Sequence, residues 1–265
     1  MSTFTLYLIS LSIILLYTTT VFLLALKKKD NSIIDIAYGA GFIVTAWMLA
    51  ILKLMTAPLT PYSFLILILI TIWGTRLSYR IYQKNKGKPE DFRYKNWRDL
   101  WMKKGLPYFL VRAYLQIFVL QGIVISIVLL PFTLSIITSP MTSYWIVLGL
   151  IVWCIGFFFE AVGDRQLDRF IKDNNRVGTI LKTGLWKYTR HPNYFGESTM
   201  WVGIALISLT ASSSTIVILS PILITYLLLF VSGIPMLEKK WDGNPEWEEY
   251  KKKTSAFFPM PTQEK

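Results

Sequence analysis

Seven stretches of this chain run long enough with little ionised interruption to cross a lipid bilayer, and that property leaves few folds open to it. A span needs roughly 20 predominantly apolar residues. Residues 4–26, 32–55, 61–81, 107–136, 144–163, 194–211 and 215–237 meet that length. The fourth is long enough to be tilted, or broken near Pro131. The first has no basic leader and no small-residue cleavage site, so it reads as a retained span, not a signal sequence. Hydrophobic residues are 53% of the 265, yet the formal charge is +12, a combination foreign to soluble domains. The expectation is one all-α, polytopic membrane domain over 1–265 with seven transmembrane helices.

The basic residues give that bundle a direction. All 28 except Lys53 fall in Lys27–Lys29, Arg76–Lys104, at Arg112, in Arg165–Arg190 or after Glu238, while the loops "TAPLTP", "SPMT" and "TASSS" carry no charge. Charged and uncharged connections therefore alternate. The positive-inside rule then puts the N-terminus outside and the C-terminus in the cytosol. Topology and contact with anionic lipid account for the +12 ahead of its alternative, attraction of the substrate, and nucleic acid is not needed as a partner. The longest loop, about 82–106, mixes Phe92, Tyr94, Trp97 and Trp101 with Lys and Arg, as expected of a segment lying on the membrane surface.

One cysteine, Cys154, and one histidine, His191, exclude a disulfide framework and argue against a metal site. Chemistry must come from other groups, and ionisable residues within spans are informative because they are costly there. Asp35, Arg76, Arg80, Glu160, Asp164, Glu197 and Glu238 all fall near span ends at one expected depth, the cytosolic side; Lys53, Gln116 and Gln121 do not. Ordinary snorkelling or pairing accounts for any one of them. In "EAVGDRQLDRF", Glu160, Asp164 and Asp168 form one helical stripe at i, i+4 and i+8, beside Arg165 and Arg169. Such carboxylates suit ribose hydroxyls or an amide, and arginine suits phosphate, although a solvated helix end reads the same way.

The stretch "RHPNYFGE", residues 190–197, looks like a helix start. Pro192 suits the first turn and Asn193 suits a cap, so the free amides would form an anion seat near Lys187 and Arg190. Capping leaves Glu197, one turn inside the span, unexplained. His191 is expected to pack or hydrogen-bond, not to carry protons.

These residues carry a resemblance. "GLWKYTRHPNYFGE", preceded by "EAVGDRQLDRF" and followed by "GIPMLEKKW" and "EEYKKKTSAFFP", resembles the membrane steroid 5-alpha-reductase family, closest to its uncharacterised bacterial branch. "SIIDIAYGAGF" and "WGTRLSYRIYQKNKGKPEDFRY" match more weakly. The resemblance implies seven membrane helices, NADPH held among the later spans (107–265), substrate among the first three and the loop (1–106), and reduction of a carbon–carbon double bond conjugated to a ketone. The substrate would be a steroid-like or other lipid enone entering from the bilayer, with no obligate protein partner.

Carried onto this chain, the resemblance places Asp164, Tyr188, Arg190, Asn193, Glu197 and Tyr250 around the cofactor; Glu160, Arg169 and Glu238 of the charged span ends and Tyr194 of the same stretch join them in the expected cofactor-binding set. On the substrate side the resemblance points to Asp35, one carbon shorter than the glutamate of the animal enzymes, and to Tyr79, with Tyr38 and Tyr82 as rivals. An acid/tyrosine pair would stabilise the negative charge that builds on the carbonyl oxygen during hydride transfer. A second, more distant resemblance, in "RHPNYFG" and "EWEEY", is to isoprenylcysteine and phospholipid methyltransferases, which use S-adenosylmethionine. A third alternative is a lipid-binding or transport protein without chemistry. Short loops and many Lys and Ile residues suit a bacterial inner membrane, with the active site facing the cytosol.

Overall fold

A computed structural model describes residues 3–137, 144–173, 178–211 and 214–262. The described residues are helical, with no strand among them. Three long helices come first: α1 (Thr3–Lys28), α2 (Ile33–Leu54) and α3 (Pro61–Asn85). A short α4 (Phe92–Met102) precedes α5 (Leu106–Ala113), which continues through a π-helical stretch, Tyr114–Val119, into α6 (Leu120–Val128) and then α7 (Leu130–Ser135). There follow α8 (Trp145–Asp173), α9 (Pro192–Ala211), α10 (Leu219–Tyr226), α11 (Ile234–Glu238) and α12 (Pro245–Lys253).

Six stretches among the described residues are long and apolar enough to cross a membrane: α1, α2, α3, Leu106–Val128, α8 and Thr215–Trp241. The run expected over 194–211 does form a helix, α9, but is not one of the six, because Asn193, Glu197, Ser198 and Thr199 make its first turns polar. The expected break at Pro131 is present. Proline has no N–H to offer, so α6 ends at Val128 and α7 restarts with Pro131 in its first turn. The "SPMT" loop and residues 212 and 213 of "TASSS" lie outside the described residues.

The chain divides into two compact bodies. The first holds α1 to α7 and Ser208–Val217, so residues 107–137, which the sequence groups with the cofactor spans, pack with α1 to α3. Here α2 and α3 cross at glycine: a Cβ on Gly39 would lie 2.6 Å from the Gly74 carbonyl oxygen. The 82–106 loop does more than lie on a surface. Asp91 caps α4 by accepting from Arg93 N at 3.0 Å, and α4 then buries Tyr94 and Trp101 against Val21, Phe22 and Ala25 of α1 and Phe109 of α5. Full burial of each such ring contributes about 1.5–3 kcal/mol. Its other face leaves Phe92, Leu100 and Met102 exposed.

The second body holds α8, α9 as far as Ile207, and α10 to α12. Its organising contact is a glycine series at seven-residue spacing. Gly149, Gly156 and Gly163 of α8 meet Gly203, Gly196 and the Pro192–Asn193 start of α9, respectively. A Cβ on Gly156 would sit 2.6 Å from the Gly196 carbonyl oxygen, so these two backbones touch directly. That approach brings Glu160 and Asp164 of α8 alongside the first two turns of α9.

Candidate functional site

In the second body the carboxylates selected from sequence are withdrawn from solvent. Glu160, Asp164 and Glu197 are 2%, 3% and 9% exposed, whereas Asp168, the third member of the α8 stripe, is exposed together with Arg169. The reason is the glycine contact. Gly156, Glu160, Gly163 and Asp164 share the α8 face that carries α9, and the stripe turns off that face beyond Asp164. Asn193 and Glu197 lie at i and i+4, one above the other on α9. A Cβ on Gly163 would lie 3.3 Å from Asn193 N, which ties Asp164 to the same corner.

Asn193 does not cap α9. The helix begins at Pro192, and the first helical hydrogen bond, Phe195 N to His191 O at 3.1 Å, makes His191 the capping residue, with His191 N donating to Thr189 Oγ1 at 3.3 Å. The asparagine side chain is thus a half-buried group on the helix itself, one turn from Glu197.

Arg190, His191, Glu238 and Tyr250 form a different unit, which fastens the tail. Arg190 Nε and His191 Nε2 both lie 2.9 Å from Glu238 Oε1. Arg190 Nη1 donates to the carbonyls of Lys251 and Thr254, and its guanidinium lies over the Trp247 ring. Tyr250 Oη donates to the Trp186 carbonyl, and burial pushes that phenol well above the ordinary tyrosine range. Main-chain bonds from Arg190 N to Ser255 O and from Met260 N to Tyr188 O, each 2.9 Å, complete the strap. Burial lowers the His191 pKa and its bond to Glu238 opposes that only in part, so the ring packs as a neutral group, stacked on Tyr194 at 5.4 Å. Tyr188 is exposed. Of the residues expected around the cofactor, Glu160, Asp164, Asn193 and Glu197 therefore share one corner. Arg190, Glu238 and Tyr250 are joined to one another and to the tail.

The first body has its own polar centre, around Asp35. Tyr94 Oη donates to Asp35 Oδ1 at 2.5 Å, and Arg93 Nη2 donates to Asp35 Oδ2 at 2.9 Å. Arg93 Nε also donates to Asp91 Oδ1 at 2.9 Å. Gln121 of α6 lies near Asp35 as well. The phenol paired with this aspartate is Tyr94. Tyr79 is exposed on α3 and accepts from Gln83 Nε2 at 2.7 Å. Burial, reinforced by the Asp35 carboxylate, holds the Tyr94 phenol protonated far above the usual range. Alongside, Glu90 accepts from Arg98 at 2.8 Å and from Asn31 N at 2.7 Å, clamping the α3–α4 loop onto the start of α2. Sequence reasoning missed Tyr94 and Gln121 because they lie 59 residues or more from Asp35. The signal available was the "EDFRY" segment, with a capping aspartate, an arginine and a tyrosine within four residues.

The two centres hold complementary chemistry: buried acceptors beside the α9 N-terminus in one body, and a carboxylate–phenol–guanidinium group in the other. No cluster of three or more metal-ligating side chains occurs among the described residues. The family model described as "Protein of unknown function (DUF1295)" matches residues 21–254. An uncharacterised protein of Schizosaccharomyces pombe is 25% identical over 218 residues, 71% of this chain and 61% of the yeast protein. Steroid 5-alpha-reductase DET2 of Arabidopsis thaliana is 29% identical over 106 residues, 33% of this chain and 40% of the plant protein. The chain thus spans less than two thirds of the length of either relative. No solved structure matches it.

Proposed function

The chain belongs to the DUF1295 family, and from that premise we propose that it is a membrane reductase that uses NADPH to saturate a carbon–carbon double bond conjugated to a ketone in a steroid-like or other lipid. Similarity to the plant steroid reductase supports the reaction class. The observation that carries the chemistry is the Asp35–Tyr94 pair, because reduction of an enone needs a hydrogen-bond donor at the carbonyl oxygen and this pair holds a protonated phenol in place.

The donor set of the second body fits a dinucleotide. Ribose hydroxyls and carboxamide N–H groups need acceptors, and Glu160, Asp164 and Glu197 supply three buried ones beside Asn193. Phosphate suits the N-terminal end of the 20-residue α9 better than Arg190, whose fork is already engaged by Glu238 and two carbonyls. When bound, NADPH supplies the hydride. In the first body, Asp35 accepts the one O–H of Tyr94 in the resting chain and fixes the phenol's place; that O–H would turn from Asp35 to the substrate oxygen when the substrate binds, and Arg93 balances the carboxylate left behind. Trp97 and Trp101, packed beside Tyr94, exclude water from that face of the pair. In this reading the N-terminus is outside, the polar centres face the cytosol, α9 completes seven spans, and the setting is a bacterial inner membrane. Neighbouring lipids and the substrate are its partners.

Titration of the detergent-purified protein with NADPH, NADH and S-adenosylmethionine tests the cofactor. NADPH is expected to bind, and Glu197→Gln with Asn193→Ala to weaken it while the protein stays folded. Selective binding of S-adenosylmethionine would replace the reductase with a methyltransferase.

A further inference from the structure

The C-terminal tail carries a cleft that the reductase chemistry does not use. α12 is capped at its start by Asn244, whose side chain accepts from Glu246 N at 2.9 Å, and it ends in Lys251, Lys252 and Lys253, all exposed. Cations in a last turn complement the helix dipole, which is reason enough for lysine there. It is no reason for the cleft of about 350 Å³ that opens beside them. It is lined by Arg190, the three lysines, Thr254 and Ser255 together with Ala256, Met260 and Pro261.

The charge available in that cleft is lysine charge. Arg190 spends its fork on Glu238 and on the Lys251 and Thr254 carbonyls, so it shapes the floor. Lys253 shares its ammonium with Glu249 at 2.8 Å in an exposed pair, which water screens. Met260 and Pro261 give the lining an apolar lip. Phe257 is buried against Phe195, and Met260 is 52% exposed, as is, outside the lining and two residues before it in the chain, Phe258 at 58%. A basic pocket with an apolar lip matches an amphiphile whose anionic group sits at its polar end.

We propose that this cleft binds the phosphate headgroup of an anionic phospholipid, with Lys251 to Lys253 holding the phosphate and Met260 and Phe258 meeting the start of the acyl chains. Free phosphate makes no use of the lip. Lysine ammoniums, compact charges without a planar fork, suit a phosphodiester held from one side. The six membrane-length helices put such lipids within reach of the chain's polar segments. The inference does not depend on the reductase reading.

The test is titration of the full-length protein in detergent, followed by native mass spectrometry, with dioctanoyl phosphatidylglycerol, dioctanoyl phosphatidylcholine and inorganic phosphate as probes. Phosphatidylglycerol should bind about tenfold or more tightly than phosphatidylcholine. Replacing Lys251, Lys252 and Lys253 together by Gln should remove that preference, and Lys103→Gln with Lys104→Gln, elsewhere on the surface, should leave it. The lysine side chains are exposed and Arg190 uses only the Lys251 backbone, so the variant keeps the strap; an unchanged melting temperature checks this. Phe258→Ser with Met260→Ser should weaken the lipid and not inorganic phosphate. Equal binding of the two lipids, a preference that survives the triple variant, or loss of NADPH binding in that variant with lipid binding intact would each overturn the proposal.

Discussion

Replacing Gly156 by alanine places a methyl group 2.6 Å from the Gly196 carbonyl oxygen and 2.6 Å from Met200 N. Ordinary contact begins at 3.4 Å, so α8 and α9 must part locally by roughly 0.8 Å, the difference between those two distances. Both obstructing atoms are backbone, and no rotamer change relieves them. The expected destabilisation therefore lies toward the upper part of the overpacking range, about 2–3 kcal/mol. In a body of this size that lowers the melting temperature by roughly 4–10 °C. The same separation moves Glu160 away from Glu197, so NADPH affinity should fall about tenfold or more. Intrinsic tryptophan fluorescence during heating reads the first effect in the detergent-purified protein, and cofactor titration reads the second. Gly122→Ala is the control: its methyl group meets only the Ile14 side chain at 3.2 Å and Thr18 at 3.4 Å, which can shift, so it should cost less than about 1 kcal/mol. A Gly156→Ala protein that melts within a degree of wild type would refute the reading of α8 and α9 as backbones in direct contact.

Tyr94→Phe should lower enone turnover by about 10²–10³, the loss typical of one oxyanion donor, and Tyr79→Phe should leave it unchanged; the reverse order would return the acid role to Tyr79. Asp35→Ala should abolish turnover with NADPH affinity retained, measured in the same preparations. Arg190→Lys keeps the charge but loses the fork, so limited proteolysis should cut the tail after Lys251 sooner and the melting temperature should fall by several degrees. His191 has a folded pKa below its ordinary 6.5, so the unfolded chain binds the extra proton first. The stability it contributes is present above about pH 6.5 and lost as pH falls through the lower folded value; melting temperature measured from pH 7.5 to 5 should drop, and His191→Gln should flatten that drop.

Helix content was legible because it rests on local periodicity and length, and the break at Pro131 because it rests on one missing N–H. The polar opening of α9 was legible as residues and not as consequence. Asn193 and Glu197 looked like a cap and an anomaly, yet the helix already starts at Pro192, with Asn193 half-buried and Glu197 buried one turn on. The glycine series that creates that face was visible at 149, 156 and 163 and again at 196 and 203, since seven residues are close to two helical turns. It went unused because small residues carry no chemistry of their own. What local pattern cannot supply is the partner across distance. Asp35 meets Tyr94 and Gln121 only once α4 and α6 have packed beside the start of α2.

That distinction also separates the neighbours in "RHPNYFGE". An arginine beside a helix N-terminus reads as a phosphate ligand when only spacing is known. In the fold, its fork is used by Glu238, Lys251 and Thr254, and the histidine next to it shares the same carboxylate. The first two residues of the stretch thus hold the tail strap, and the asparagine and glutamate one and two turns on face α8. A phosphate at the α9 N-terminus would therefore meet backbone amides ahead of guanidinium, and NADPH binding, which also uses the Asn193 side chain, should be far less sensitive to Arg190→Lys than to Asn193→Ala. If Arg190→Lys instead abolishes NADPH binding in a protein whose tail still resists proteolysis, the arginine contacts the cofactor and the strap is secondary.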